Sequence, residues 1–186
     1  MYSDTPDEQL MRQYGEGNVQ AFEALYTRHK GPLFRFFLRQ FTQAVAEELA
    51  QDVWAKLIHA RGSYQVNSLF TTFLYTIARN RLIDYLRRQN IRPVAADAMP
   101  ANDVDCIAAS HVEDPAHQLT HQQRADMLLH CIKLLPVDQR EAILLKEEGD
   151  LSLEMIGQVC GVNKEAIKSR LRYAVKKLKQ CMGDLL

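Results

Sequence analysis

Leu151 to Arg170 reads LSLEMIGQVCGVNKEAIKSR, and this stretch decides the fold. Ser152 is an N-cap residue type before an apolar-periodic run, and Ile156 and Cys160 lie on one face. The small Gly157 lets a second helix cross closely, and Gly161 supplies the turn. Asn163 is an N-cap for the next helix, whose Ile167 and Leu171 point inward. Two short helices locked across a glycine turn form a helix-turn-helix, which places the N-terminal part of its second helix in the major groove of DNA. That helix carries Lys164, Lys168, Arg170, Arg172, Lys176, Lys177 and Lys179 against one acid, Glu165. Lys164, Glu165, Lys168 and Ser169 are candidates for base edges. Arg170, Arg172 and Lys176 suit phosphates, which fix position without reading sequence. The plain alternative is a solvated basic helix in an αα-hairpin; the turn pattern and the concentrated charge together favour DNA.

Upstream, Ala125, Leu128, Leu129, Ile132 and Leu135 form a helical stripe ending at Pro136. Asp138 with Glu141 predicts a capping-box start for the next helix, and Gly149 its end. Residues 94–120 contain Asp97, Asp103, Asp105, Glu113 and Asp114, two prolines, and no Lys or Arg. They read as an extended, poorly packed linker that reaches roughly 90 Å when fully stretched. Before it, Val19, Phe22, Leu25, Tyr26, Leu33, Phe34, Phe37, Leu38 and Phe41 recur near helical spacing, with a kink or an interruption expected at Gly31-Pro32. Val45, Leu49, Val53, Leu57 and Ala60 form a second stripe closed by Gly62. Phe70, Phe73, Leu74, Ile77, Ala78, Leu82 and Tyr85 form a third, stopped by Pro93. No segment alternates with period two, so no sheet is expected. The predicted fold is all-α: two small helical domains, residues 7–93 and 121–183, joined by the acidic flexible linker 94–120.

The formal net charge is +0, but the charges are segregated, which matters more for nucleic-acid binding than the total. The N-terminus carries Asp4, Asp7 and Glu8 and no apolar run, so neither a secretory leader nor membrane insertion is expected, and the expected location is cytoplasmic. Cys106, Cys131, Cys160 and Cys181 are scattered without a C-x-x-C pair, the pattern of free thiols in a reducing compartment. His111, His117, His121, His130 and Cys131 invite a metal reading, but there is no H-E-x-x-H and no paired cysteine motif. Gly-rich phosphate loops and nucleophile elbows are absent too. The expectation is no enzyme, no metal and no cofactor.

Ser68 to Asn90, SLFTTFLYTIARNRLIDYLRRQN, has an apolar stripe and an opposite polar face of Asn80, Asp84, Arg87 and Arg88, extended by Thr72 and Thr76. With aromatics at its head, such a face suits an unpaired strand: rings hold splayed bases and arginines hold phosphates. A surface helix with a solvated polar face reads the residues equally well.

AFEALYTRHKGPLFRF, AEELAQDVWAKLIHAR, FTTFLYTIARNRLIDYLRR and LLPVDQREAILLKEEGDLSLEMIGQVCGVNKEAIKSRLRYAVKKL, in this order, resemble the extracytoplasmic-function (ECF) sigma factors of the sigma-70 family. The resemblance runs from about Asp7 to Leu178. It implies a region 2 helical domain that binds core RNA polymerase and recognises and melts the −10 element. It also implies a flexible linker and a region 4 helix-turn-helix domain for the −35 element. No room is left for the separate middle domain of larger sigma factors.

Glu48 to Arg61 matches the helix that grips the clamp of the polymerase largest subunit, with Glu48, Gln51, Asp52, Val53, Trp54, Lys56 and Leu57 as its candidates. Trp54, the only tryptophan, reads equally as an interface anchor or a core aromatic. Ser63 to Phe70 matches the loop that captures a flipped −10 base, through Ser63, Tyr64, Asn67 and Phe70. Thr72, Phe73, Thr76, Arg79, Asn80, Asp84, Arg87 and Arg88 lie on the helix behind. Lys164, Glu165, Lys168, Ser169, Arg170, Arg172, Tyr173 and Lys176 match the −35 reader.

The sequence departs from the family where Phe73 replaces a common tryptophan, Tyr173 an arginine, Met155 a glutamate and Gly157 an alanine; Gly157 is expected to add only backbone freedom. Implied partners are core polymerase (the clamp, and the flap of the second-largest subunit), promoter DNA and an anti-sigma factor. An acidic linker suits the positively charged polymerase channel, which it occupies without holding DNA. Free in solution, the two domains are expected to pack together or against an inhibitor. The alternative is a helix-turn-helix regulator that works without polymerase.

Overall fold

Helix-forming runs dominate both ends of the chain, and the structure, a computed structural model that describes residues 2, 4–62, 64, 69–89 and 121–183, is built accordingly. Among the described residues every regular element is a helix: α1 (Asp7–Gly15), α2 (Val19–Leu38), α3 (Gln43–His59) and α4 (Phe70–Arg88), then α5 (His121–Leu134), α6 (Val137–Glu147), α7 (Leu153–Cys160) and α8 (Lys164–Met182). The all-α expectation holds. The linker reading and the stop at Pro93 lie outside the described residues.

Asn18 caps α2, its side-chain oxygen accepting the Ala21 N–H at 3.3 Å. Of the kink or interruption expected at Gly31-Pro32, the interruption is absent, and α2 runs through both residues. Proline withholds one helix N–H, a loss of up to about 3 kcal/mol in an interior. Leu25, Leu33, Phe36 and Phe37, on both sides of it, are fully buried, so tertiary packing overrides the local signal. On α3 the stripe residues Leu49, Val53 and Leu57 are buried, joined by Ala46, Ala50 and Trp54. The helix ends at His59, short of Gly62. On α4, Phe70, Leu74, Ala78 and Leu82 are buried as the stripe predicts, but so are Thr72, Tyr75 and Leu86. The burial is wider than one face because α4 packs against α1 and α3 on one side and α7 on the other.

The helix-turn-helix folds as its caps predict. Ser152 accepts the Met155 N–H at 3.2 Å and Asn163 the Ala166 N–H at 2.8 Å, and Gly161 turns the chain at φ 69°. Gly157 does more than loosen the backbone: a Cβ there would lie 2.8 Å from the Val162 carbonyl oxygen. Gly157→Ala is therefore expected to destabilise the chain by about 1–3 kcal/mol, read as a lower midpoint in urea unfolding.

Two readings are corrected. The capping box at Asp138 and Glu141 is not formed: Pro136 is the N-cap of α6, with no side-chain cap. Asp138 instead accepts from Arg170 at 3.1 Å, and Glu141 is buried against Arg79 and Cys160. The cysteines are not all free thiols. Cys131 of α5 and Cys181 of α8 form a disulfide with a Cα–Cα separation of 5.8 Å, because α8 lays its C-terminal turn alongside α5. Cys160 is free and buried; Cys106 lies outside the described residues.

The two helical modules touch. The Tyr75 ring, 1% exposed, stands 5.5 Å from Phe36, and its hydroxyl donates to the Glu148 carbonyl at 3.2 Å. Gly149 fits beneath it: a Cβ there would meet the Tyr75 ring at 3.0 Å and the Leu145 carbonyl at 2.8 Å. Ion pairs flank this contact. Arg35 donates to the Glu148 carboxylate at 2.7 Å, Arg39 donates to its other oxygen, and Arg79 Nε stands 2.8 Å from Glu141 Oε1.

Candidate nucleic-acid and polymerase interfaces

The first turns of α8 pack against α7 on one side and present the other side outward. Ile167, Ala174 and Leu178 are buried on its inner side, so Lys164, Glu165, Lys168, Arg172, Tyr173 and Lys176 stand exposed on the other. Within this face Lys168 bonds Glu165 at 2.7 Å, and Lys164 bonds Glu154 of α7. These pairs hold Glu165 and Glu154 below the usual carboxylate range and Lys164 above its ordinary value, each by direct hydrogen bonding first. The Arg172 guanidinium lies over the Tyr173 ring at 5.3 Å. Ser169 is half-buried. Arg170 faces inward, where its pair with Asp138 ties α8 to α6, which is a structural position and not an outward one.

The −10 candidates divide more sharply. Asn80, Arg87 and Arg88 are exposed, and Asp84 is partly exposed and paired with Arg81. Tyr64 and Phe73 are half-buried, with their rings 5.2 Å apart edge to face. Phe70 is fully buried and Thr72 nearly so, and Thr76 donates its hydroxyl to the Thr72 carbonyl at 2.7 Å. Phe70 and Thr72 present no surface to a base in this arrangement, and Thr76 is half-buried. Arg79 is turned into the contact between modules by Glu141. Ser63 and Asn67 lie outside the described residues.

On α3, Glu48, Gln51, Asp52 and Lys56 form an exposed polar face, while Val53 and Leu57 belong to the core. Asp52 and Lys56 line a shallow groove with Ala55, His59, Ala60 and Arg81. Trp54 is 7% exposed and packs into an aromatic cluster, 4.9 Å from Tyr26 and 6.0 Å from Phe22. Of its two readings the core aromatic holds.

The sequence did not reveal the carboxylates of α1. Asp7 accepts from Arg28 and pairs with His29, both at 2.6 Å, and Glu8 accepts the Phe70 N–H at 2.9 Å. Burial pushes the Asp7 carboxyl up, but His29 and Arg28 outweigh it and hold it low. Two acids in a first turn are ordinary dipole partners, so nothing in the pattern pointed to contacts that span 62 residues.

Exposed cations on helices of both modules, one of them the second helix of a helix-turn-helix, are the features of the class of DNA-binding factors. Residues 25–91 match the family model described as Sigma-70 region 2, and residues 125–178 the one described as Sigma-70, region 4. The sigma factor CarQ of Myxococcus xanthus is 30% identical over 177 residues, covering 94% of this chain and 97% of that protein. Two solved structures share the fold. CnrH in complex with the cytosolic domain of CnrY has a TM-score of 0.69 at 20% identity, covering 94% of this chain and 95% of that one. The sigma factor RpoE in complex with the anti-sigma factor NepR, from Bartonella quintana, has a TM-score of 0.65 at 23% identity, covering 87% and 96%.

The chain belongs to the extracytoplasmic-function subfamily of the sigma-70 family of RNA polymerase sigma factors. It is a sigma factor that directs core polymerase to promoters in transcription initiation, and the region 2 match leaves a polymerase-independent regulator without support. Among the described residues no helix is long and apolar enough to cross a membrane.

Proposed function

We propose that residues 7–93 dock on the clamp of core polymerase and open the −10 element, that residues 121–183 read the −35 element, and that residues 94–120 tether the two. Glu48, Gln51, Asp52 and Lys56 of α3 offer the clamp an exposed polar face. Tyr64, with Ser63 and Asn67, holds an unpaired base, and Asn80, Arg87 and Arg88 hold the strand behind it. Melting then needs no catalytic residue: holding single-strand bases better than paired ones shifts the duplex toward the open form. The chain acts as a binding factor without enzymatic activity, in the cytoplasm. An anti-sigma factor is its expected inhibitor, a reading supported by the fold it shares with RpoE, whose structure was solved with NepR.

The observation that carries this reading is the α8 face of Lys164, Lys168, Arg172 and Lys176, exposed and clear of the contact between modules. Lys168→Ala is expected to weaken promoter binding by about 1–3 kcal/mol and to relax sequence discrimination. Arg172→Ala is expected to weaken all sequences alike and to lower the salt slope by about 1. Run-off transcription with core polymerase on a genomic promoter library tests the whole reading. Discrete transcripts that require the chain support it, and a chain that never associates with core polymerase refutes it.

A further inference from the structure

α4 starts without a cap of its own. Leu69 stands at its N-cap position, and no side-chain cap is made there. The first N–H groups of a helix have no partner within it, and the helix dipole makes that end favourable for a negative charge. Glu8 of α1 fills the gap from 62 residues away, its Oε1 accepting the Phe70 N–H at 2.9 Å.

The neighbouring Asp7 fixes where that carboxylate stands. It takes Arg28 Nη1 and His29 Nε2, each at 2.6 Å, which ties α1 to α2. The His29 ring then packs against Phe70 at 5.1 Å, so α1, α2 and the start of α4 form one closed set of contacts. On the other flank is Tyr64, whose ring meets Phe73 at 5.2 Å. Its phenol is pushed up to about 12, by burial first and then by the charges of Glu8 and Asp7, as expected if both carboxylates lie beside it. Glu8 thus holds the first turn of α4, the turn that carries Phe73 of the Tyr64–Phe73 pair. The region 2 match begins only at residue 25 and does not include it.

We propose that Glu8 is a positioning residue for promoter opening: by capping α4 at Phe70 it sets the place of the Tyr64–Phe73 pair that meets the unpaired −10 strand. This rests on the −10 reading given under Proposed function. Glu8 touches no base, and it acts through the first turn of α4.

The test uses full-length protein assembled with core polymerase on a promoter recovered from the run-off library. Open complex is read by permanganate reactivity of unpaired thymines, alongside affinity for core polymerase, affinity for a −35 duplex, and the thermal midpoint of the free chain. Glu8→Ala is expected to lower the open fraction about tenfold, equivalent to about 1.4 kcal/mol, with core and −35 affinities within twofold of the unsubstituted chain. Glu8→Gln keeps a carbonyl acceptor for the Phe70 N–H and is expected to restore most of the opening. Glu8→Ala opening as well as the unsubstituted chain overturns the proposal. So does a loss of opening matched by equal losses of core and −35 affinity, since that is a stability effect alone. Asn80→Ala and Arg87→Ala separate this from failure of the underlying reading: if both leave opening intact, the −10 assignment itself falls.

Discussion

Replacing Arg35 and Arg39 together by alanine parts the two helical modules in the free chain. The Glu148 side chain is 6% exposed and its carboxylate is held by both guanidiniums. Burial raises its pKa, but the hydrogen bonds from Arg39 and Arg35 outweigh that and hold it below its ordinary value. Removing both partners strands a charge under Tyr75. Stranding a buried charge costs about 3–5 kcal/mol, and the lower end applies here because both arginines are partly solvated. Separation relieves the strain, because Glu148 then reaches water. The expected result is a larger radius of gyration in solution scattering, with helix content unchanged by circular dichroism. Because the Glu148 pKa is depressed, its contribution is complete above about 4.5 and is lost as the pH falls through its lowered value. Acid therefore weakens this contact in the unsubstituted chain. Glu141 works in the opposite sense, burial raising its pKa more than Arg79 lowers it. A scattering profile that does not change on double substitution would mean that the Tyr75–Gly149 contact, the Tyr75 hydroxyl bond to the Glu148 carbonyl and the Arg79–Glu141 pair hold the modules without Arg35 and Arg39.

The closed arrangement also bears on function. Promoter elements about 25 base pairs apart are separated by roughly 85 Å at about 3.4 Å per base pair, whereas here α4 lies directly against α7. Under the assignment proposed above, two modules in contact could not sit on both elements, and promoter engagement would follow their separation. Arg79 is held by Glu141 in the closed form, so on the same assignment it would reach a phosphate only after separation.

Local chemistry explains which parts of this structure were legible in the sequence. The helix-turn-helix was readable because Ser152, Gly157, Gly161 and Asn163 each act within a few residues of themselves. The apolar stripes of α3 and α4 were readable because helical period is local. What failed depends on partners far along the chain. Thr72 read as part of the polar face of α4, and the packing of α1, α3 and α7 around that helix buried it. Arg79 carried no mark that its partner would be Glu141, nor Arg35 that its partner would stand 113 residues away. Pro32 shows the converse: a strong local stop signal lost to burial of the residues around it. The site followed the same rule. The basic face of α8 was legible as a periodic run of charge, and the Glu8 cap on α4 was not.

Reduction of the Cys131–Cys181 bond is expected to lower the stability of the C-terminal module by about 4 kcal/mol. The bond closes a loop across a sequence separation of 50 residues. In the chain-entropy account such a loop removes about 14 cal/mol/K from the unfolded ensemble, or about 4 kcal/mol at 25 °C. The loss falls first on α5. Its outer residues Ala125 and Asp126 are exposed, and once the bond is open Ile132 and Leu135 are its main buried anchors. α7 and α8 keep Ile156, Ile167 and Ala174 fully buried, so the helix-turn-helix outlasts its staple. Denaturant unfolding with and without a phosphine reductant measures the difference, with Cys131→Ser/Cys181→Ser as a second reduced form, and hydrogen exchange shows whether α5 opens ahead of α8. Equal unfolding midpoints would rule out the entropic account for this loop. The Cys160 thiol is buried and is pushed up to about 12, by desolvation first and then by Glu141 beside it, so in the folded chain near neutral pH it attacks neither sulfur.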